Sequence, residues 1–125
     1  MSWSSYIDNL LTSGHVKKAA ICGHDGSLWA ASADYNISVE EAKSLLLAFK
    51  DTTAYTQSGM HVGGVRYIFL SGTDQILRGK KGTAGVHVAK TGQAILIGFY
   101  DDPTTPNQCA IQVENMAEYL KGMNY

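Results

Sequence analysis

The chain has 125 residues, of which 45% are hydrophobic and 17% are charged, and its formal net charge at pH 7 is -1. This length and composition predict one globular domain spanning residues 1–125 and exclude a disordered chain. The small net charge argues against a protein that binds nucleic acid over its whole surface, since such proteins carry a clear excess of Lys and Arg.

Two further features predict where the protein works. No apolar run approaches the ~20 residues that a helix needs to span a membrane. Cys22 and Cys109 fall in a predicted buried strand and a predicted helix, and the N-terminal residues do not have the pattern of a secretory signal. We therefore expect free thiols and a cytoplasmic protein, with oxidative dimers only if Cys109 is exposed.

The first predicted helix covers residues 2–13. Its apolar residues recur at i, i+3, i+4, i+7 and i+8, which is the spacing of one helical stripe. Ser2 is the predicted N-cap of this helix, and Gly14 is its predicted stop. The stripe consists of Trp3, Tyr6, Ile7, Leu10 and Leu11.

The middle of the chain predicts a hairpin, two helices and then a run of four strands. The hairpin joins residues 17–23 to residues 27–31 through an Asp-Gly turn. The capping box at residues 38–41 opens a helix that reaches Phe49, and residues 51–58 predict a shorter one. The four strands are predicted at residues 65–70, 75–78, 85–89 and 94–100.

Several sequence signals agree on the start of the last helix. Thr105 is its predicted N-cap, Pro106 occupies the first helical position, and Gln108 completes a capping box. Its predicted buried stripe is Ala110, Val113, Met116, Ala117 and Leu120. Consecutive strands joined by short turns predict an antiparallel sheet. The predicted fold class is therefore α+β: a central antiparallel β-sheet with the N- and C-terminal helices packed on one face and the smaller helices on the other.

The sequence indicates no catalytic or metal site. Cys22 and His24 lie two residues apart, but the other Cys and His residues do not follow at the spacing of metal ligands. No G-x-S-x-G motif is present, and the acidic residues occur singly or as adjacent pairs that point apart. We therefore expect no enzyme, no cofactor and no metal ion.

The aromatic residues near the two ends of the chain allow two interpretations. Trp3 and Tyr6 share one helix face, and Tyr119 and Tyr125 flank the end of the last helix. Either the terminal helices bury these rings between them, or the rings form an exposed platform that suits a proline-rich ligand in the polyproline II conformation. A rival class is a small ligand-sensing or adaptor domain, but it needs an internal cavity with converging polar groups, and the sequence predicts none.

Four basic residues and no acidic residue lie between Gln75 and Tyr100, which predicts a local positive face. The densest part, residues 78–82, lacks the spacing of a nucleotide-binding P-loop. It is either a solvated turn between two strands or a docking patch for an acidic partner or anionic lipid head groups. The four residues are Arg78, Lys80, Lys81 and Lys90.

Several motifs along the whole chain resemble the profilin family. The opening residues 2–8 are similar to the family's W-x-x-Y-[VI]-D start, and Trp29 follows a D-G-x-x-W turn. The segment 117–125 is similar to the family's C-terminal end. Three internal motifs, typical of profilins from protists, fungi and plants, are Gly79-Lys80-Lys81-Gly82, Lys90-Thr91-x-Gln93-Ala94 and Gly98-x-Tyr100.

The resemblance implies a monomeric, cytoskeleton-associated protein that regulates actin polymerisation and has two main ligands. Proline-rich segments of formin-like elongation factors would bind between the terminal helices. Monomeric actin would bind the later strands, the middle helix and the start of the last helix, through Arg78, Lys80, Lys81 and Lys90. Lys81 and Lys90 could instead bind phosphoinositide head groups, a weaker third ligand. The implied proline-binding residues are Trp3, Tyr6, Asn9, Trp29, Tyr119, Leu120 and Tyr125.

Overall fold

A computed structural model of the protein describes residues 2–125. The helices are α1 (Trp3–Thr12), α2 (Val39–Ala48), α3 (Thr53–Ser58) and α4 (Pro106–Gly122). The strands are β1 (Lys18–Gly23), β2 (Leu28–Ala31), β3 (Met60–Val62), β4 (Val65–Gly72), β5 (Ile76–Lys81), β6 (Ala84–Lys90) and β7 (Ala94–Tyr100). No helix within the described residues is long and apolar enough to cross a bilayer.

The strands form one sheet in the order β2-β1-β7-β6-β5-β4-β3, and every neighbouring pair is antiparallel. The hairpin predicted from the Asp-Gly turn is the β1–β2 pair. The later strands follow one another across the sheet, so only β1 pairs with a strand distant in sequence, β7. The predicted antiparallel α+β fold is confirmed.

The sheet separates two hydrophobic cores. On one face, α1 packs against β1 and β2, while α4 packs against β6 and β7. On the other face, α2 and α3 contribute Leu45 and Tyr55 to a second core. Strand β7 shows the alternation that this requires, because Ile97 belongs to the second core and Leu96 to the first. The predicted placement of the helices is therefore confirmed.

The predicted helix caps are mostly as expected. Both capping boxes form, at Ser38 for α2 and at Thr105 for α4. Gly14 follows α1 with a φ of 81°, which suits a glycine at a helix stop. Ser2 is the N-cap residue of α1 but its side chain caps no backbone N–H; it lies 3.1 Å from the hydroxyl of Ser5 instead.

Strand β3 was not predicted, and strand β5 extends beyond its predicted end. Three residues are too few to show a period, but Gly63 and Gly64, with φ of 62° and 79°, form the two-residue turn that joins β3 to β4. Strand β5 continues through Lys81, which pairs with Ala84 of β6. The interpretation of residues 78–82 as a solvated turn is therefore wrong.

Both cysteines are free and fully buried, Cys22 in the α2–α3 core and Cys109 in the α1–α4 core. Burial raises the pKa of Cys22 to about 11 and that of Cys109 to about 12. The exposure that an oxidative dimer through Cys109 requires is absent from this structure.

Candidate functional site

Five aromatic side chains from α1, β2 and the end of α4 form one cluster, which we call the aromatic platform: Trp3, Tyr6, Trp29, Tyr119 and Tyr125. Trp3 lies at its centre, with its ring centroid 4.6 Å from that of Trp29, 5.0 Å from that of Tyr125 and 5.5 Å from that of Tyr6. Tyr119 extends the row beyond Tyr6, at 6.0 Å. The fold therefore brings together aromatic residues that are as much as 122 positions apart between Trp3 and Tyr125.

The exposure of these rings changes along the platform. Tyr6 is 5% exposed and belongs to the core, while Trp3 and Trp29 are half-buried against it. Tyr119 is 49% exposed and Tyr125 is 37% exposed. Tyr6 is thus buried between the terminal helices, and it supports a surface of accessible rings.

The turn before β2 fixes the orientation of Trp29. Its indole Nε1–H donates to the Ser27 hydroxyl over 3.2 Å, and that hydroxyl donates to the Asp25 carboxylate over 2.6 Å. A Cβ on Gly23 would lie 2.8 Å from the same indole nitrogen, so only glycine lets the ring approach β1. By contrast, the indole N–H of Trp3 has no hydrogen-bond partner among residues 2–125. These roles of Ser27 and Gly23 were not predicted, although Ser27 lies within the D-G-x-x-W motif.

Leu120 does not lie on the surface of the platform, although the resemblance implied that it contacts ligand. Its side chain is fully buried in the α1–α4 core because it belongs to the apolar stripe of α4. Its carbonyl oxygen accepts a hydrogen bond from the Tyr125 backbone N–H over 2.9 Å. Leu120 therefore supports the position of Tyr125, and its side chain is not available for a ligand.

An open cleft of about 380 Å³ continues the platform along the seam between α1 and α4. Two platform rings, Tyr6 and Tyr119, form one end of it. Asn9, already implicated by the resemblance, contributes an amide from α1. On the α4 side the resemblance implied only Tyr119, although the lining residues of this helix recur at helical spacing. The α4 lining residues are Gln112, Asn115, Met116 and Tyr119.

The phenol group of Tyr6 is a neutral hydrogen-bonding group at neutral pH. Burial raises the pKa of Tyr6 above its usual value of 10.0, and the neighbouring phenols of Tyr119 and Tyr125 raise it further. A protonated phenol donates its O–H, and a peptide carbonyl can accept it. The platform thus combines apolar ring faces with polar donors.

A second surface lies on the same face of the sheet, on the parts of β4 and β5 that the terminal helices leave exposed. We call it the strand patch: Ile68, Leu70, Arg78 and Lys80. Ile76 packs against the α1–α4 core, and strand alternation therefore directs Arg78 and Lys80 to the same face. Ile68 stands opposite Lys80 in the β4–β5 ladder and is 65% exposed, and Leu70 is 54% exposed. The patch therefore places two cations beside two exposed aliphatic side chains.

The predicted single positive face is wrong, because strand alternation divides its four cations. Leu77 and Gly79 face the α2–α3 side, and Lys81 follows them in the same register. Lys90 Nζ lies 5.6 Å from the ring centroid of Phe49, which belongs to that second core. Only Arg78 and Lys80 share the strand patch.

His87 and Glu114 border the strand patch. His87 stands opposite Arg78 in the β5–β6 ladder and is 2% exposed. Its Nε2 lies 2.8 Å from the Glu114 carboxylate of α4. Burial lowers the pKa of His87, against the opposing effect of Glu114. The contact of His87 with Glu114 was not predicted, and no group of three metal-binding side chains lies together within residues 2–125.

The fold and the platform together define a class of protein: a seven-stranded antiparallel sheet whose two terminal helices jointly present exposed aromatic rings. The profilin family model matches residues 1–125. A profilin from Drosophila melanogaster is 44% identical over 126 residues, covering all of both chains. The crystal structure of Acanthamoeba castellanii profilin II is also 44% identical, covers 99% of this chain and all of its own, and superposes with a TM-score of 0.96. The chain belongs to the profilin family.

Proposed function

We propose that this protein binds monomeric actin through the strand patch and proline-rich segments through the aromatic platform, and thereby regulates actin polymerisation. The observation that carries the proposal is the platform itself, since an isolated structural core would not leave Tyr119 and Tyr125 exposed beside Trp3. Family membership supports it. Two more distant relatives of the same fold are solved as complexes: mouse profilin IIa with a double repeat from the FH1 domain of mDia1, and LokiProfilin2 with rabbit actin.

The chemistry of the platform fits a polyproline II helix. Such a helix has no internal hydrogen bonds, so its carbonyl oxygens need donors from elsewhere. The faces of Trp3 and Tyr119 can stack against pyrrolidine rings. The indole N–H of Trp3, which has no partner within residues 2–125, can donate to a ligand carbonyl. The amides of the adjoining cleft, including Asn9, offer further donors along the path of the chain.

The chemistry of the strand patch fits an acidic protein surface. Arg78 and Lys80 can steer and orient a negatively charged partner, and the exposed side chains of Ile68 and Leu70 can be buried in the contact. Asp102 lines the same depression as Lys80 and moderates the positive potential there. The binding of phosphoinositides stays a prediction from the resemblance.

The two surfaces are far enough apart for both ligands to bind at once. In the sheet order, β2 of the platform and β5 of the strand patch are separated by three strands. Four inter-strand spacings correspond to about 19 Å. A protein that holds an actin monomer and a proline-rich segment together raises the local concentration of actin at an elongation factor. This role is stoichiometric, requires no catalytic residue and would be exercised in the cytoplasm by a monomer.

A fluorescence titration tests the platform. We expect a saturable change in tryptophan emission when a decaproline peptide is added, because both indoles lie in the site. The change should be lost in Trp3→Ala and kept in Leu47→Ala, a matched aliphatic truncation of an exposed residue on α2. Circular dichroism checks that both variants are folded. The absence of any change at millimolar peptide with the unmodified protein would contradict the proposal.

An actin assay tests the strand patch. The protein should lengthen the lag before purified actin monomers polymerise, because bound monomers cannot enter nuclei. Trp3→Ala should lengthen the lag as much as the unmodified protein, since its change lies outside the strand patch. If the unmodified protein leaves the lag unchanged at a several-fold excess over actin, the actin half of the proposal is wrong.

A further inference from the structure

We propose that Thr91 is a positioning residue for the aromatic platform, and that it acts by holding the main chain of Tyr125. Thr91 belongs to the turn between β6 and β7 and contributes no ring to the platform. The inference rests on the proposed binding of proline-rich segments, and it assigns a role to the Lys90-Thr91-x-Gln93-Ala94 motif.

The hydroxyl of Thr91 both donates and accepts a hydrogen bond within the protein. Thr91 is 3% exposed, and its Oγ1–H donates to the main-chain oxygen of Tyr125 over 2.8 Å. The same oxygen atom, Oγ1, accepts a hydrogen bond from the backbone N–H of Ala94 over 2.9 Å. A buried hydroxyl with both bonds made is costly to replace by an apolar group, because its partners lose their bonds away from water.

The rest of the turn holds the same segment. The Gln93 backbone N–H donates to the Tyr125 oxygen over 2.5 Å, and its side-chain amide donates to the Asn124 carbonyl over 3.0 Å. A Cβ on Gly92 would lie 3.4 Å from the Tyr125 oxygen, so the turn approaches this segment closely. Residues 124 and 125 are thus held by three hydrogen bonds from two residues of the turn, Thr91 and Gln93.

These hydrogen bonds affect the position of the Tyr125 ring because burial does not fix it. The ring is 37% exposed and stands 5.0 Å from Trp3, the central ring of the platform. Asn124 has a φ of 67°, the left-handed conformation that asparagine adopts more readily than most non-glycine residues, and it turns the chain just after α4. The hydrogen bonds to the main chain therefore set the direction in which the Tyr125 side chain leaves the backbone.

A purely structural role for Thr91, closure of the β6–β7 turn, predicts a different outcome. Thr91 N–H also donates to the Ala94 carbonyl over 2.8 Å, and that backbone bond closes the turn whatever the side chain. If turn closure were the only role of Thr91, its side chain would affect stability and would not affect ligand binding in particular.

The test compares Thr91→Val, which keeps the shape and removes the hydroxyl, with Thr91→Ser, which keeps the hydroxyl. We expect Thr91→Val to weaken decaproline binding by about three- to tenfold, the equivalent of one hydrogen bond. Thr91→Ser should bind like the unmodified protein, and neither variant should alter actin binding. Without ligand, the tryptophan emission of Thr91→Val should shift to the red, because Tyr125 no longer covers Trp3.

Two controls separate positioning from general destabilisation. Val88→Ala removes buried volume from the opposite core and should lower the melting temperature with decaproline affinity unchanged. In a Tyr125→Ala background, Thr91→Val should cause no further loss of affinity, since the ring that it positions is gone. Unchanged decaproline binding in Thr91→Val, or an equal loss in the Tyr125→Ala background, would overturn the proposal. If the unmodified protein binds no decaproline, the proposed function fails, and the emission shift alone decides the positioning role.

Discussion

The imidazole Nε2 of His87 lies 2.8 Å from a carboxylate oxygen of Glu114, which joins β6 to the middle of α4 beside the strand patch. His87 is almost fully buried, and Arg78 stands opposite it in the neighbouring strand. Burial and Arg78 both lower the pKa of His87, and Glu114 raises it, with a net decrease. The fold therefore favours the neutral imidazole even though a carboxylate is in contact.

This pair predicts a loss of stability in mild acid. Since the pKa of His87 is lower in the folded protein than its ordinary 6.5, the unfolded chain takes up the proton first as the pH falls. Above the pKa that His87 has in the unfolded chain, its contribution to the free energy of unfolding is complete. This contribution is lost as the pH falls from that value toward the lower pKa of His87 in the folded protein. One proton gives a slope of at most about 1.4 kcal/mol per pH unit. Urea unfolding at a series of pH values measures it.

The matched variant for this prediction is His87→Gln, which keeps a polar side chain and cannot titrate. Its free energy of unfolding should depend less on pH than that of the unmodified protein in the same interval. An identical pH dependence in the two proteins would show that other groups are responsible.

Charge reversal should separate the two cations of the strand patch from their neighbour in sequence. Arg78→Glu and Lys80→Glu should each slow association with actin by about tenfold at low salt, because steering by charge acts mainly on the association rate. Lys81→Glu makes the same change one residue along but on the opposite face, and it should have a much smaller effect. Stopped-flow association rates at two salt concentrations provide the measurement. Equal effects at Lys80 and Lys81 would mean that the contact does not follow the alternation of β5.

The two indoles of the platform should contribute unequally to proline binding. Trp29 already donates its N–H to Ser27, whereas the N–H of Trp3 is free among the described residues. Trp3→Phe should therefore weaken decaproline binding by about three- to tenfold more than Trp29→Phe, since only the first removes an available donor. Calorimetric titration of both variants measures the difference. A larger loss in Trp29→Phe would indicate that the ligand displaces the Ser27 contact.

Two glycines of the α4 region should respond in opposite directions to alanine. A Cβ on Gly98 of β7 would lie 2.5 Å from the Val113 side chain of α4, which must move. Gly98→Ala should cost about 1–3 kcal/mol of unfolding free energy through overpacking. Gly122 ends α4 with nothing within 4 Å of its added Cβ, so Gly122→Ala should be neutral or stabilising by as much as about 1 kcal/mol. Thermal unfolding compares them, and a destabilised Gly122→Ala would contradict the expected gain in helix propensity.

Much of the fold was predictable because local signals agreed with the final packing. The capping boxes at Ser38 and Thr105 mark real helix starts, and the apolar stripe of α4 is buried as its spacing predicts. Strand β3 was not predictable from periodicity, because three residues contain less than two full alternations. Its signal was the Gly63-Gly64 pair, because a two-residue glycine turn is typical of a hairpin with a strand on each side.

The site was less predictable, because sequence shows which residues are neighbours in the chain and not which face they share. The division of Arg78 and Lys80 from Lys81 follows from the continuation of β5 past its predicted end. The resemblance assigned Leu120 to the ligand, yet its side chain lies in the core, as the apolar stripe of α4 predicts. The contact of Thr91 with Tyr125 joins residues 34 positions apart and has no local signal.

Each of the two helix layers contains one buried thiol, and the labelling rate of that thiol reports how often its layer opens. Cys22 is enclosed with α2 and α3, Cys109 with α1 and α4, and both have pKa values well above neutrality. Alkylating reagents attack the thiolate, so neither sulfur can react until its layer opens and exposes it. Labelling of the two sulfurs, followed separately by peptide mass, would therefore time the opening of the terminal-helix layer and of the middle-helix layer in a single sample. A ligand that binds only the terminal helices should slow the labelling of Cys109 and leave the labelling rate of Cys22 unchanged.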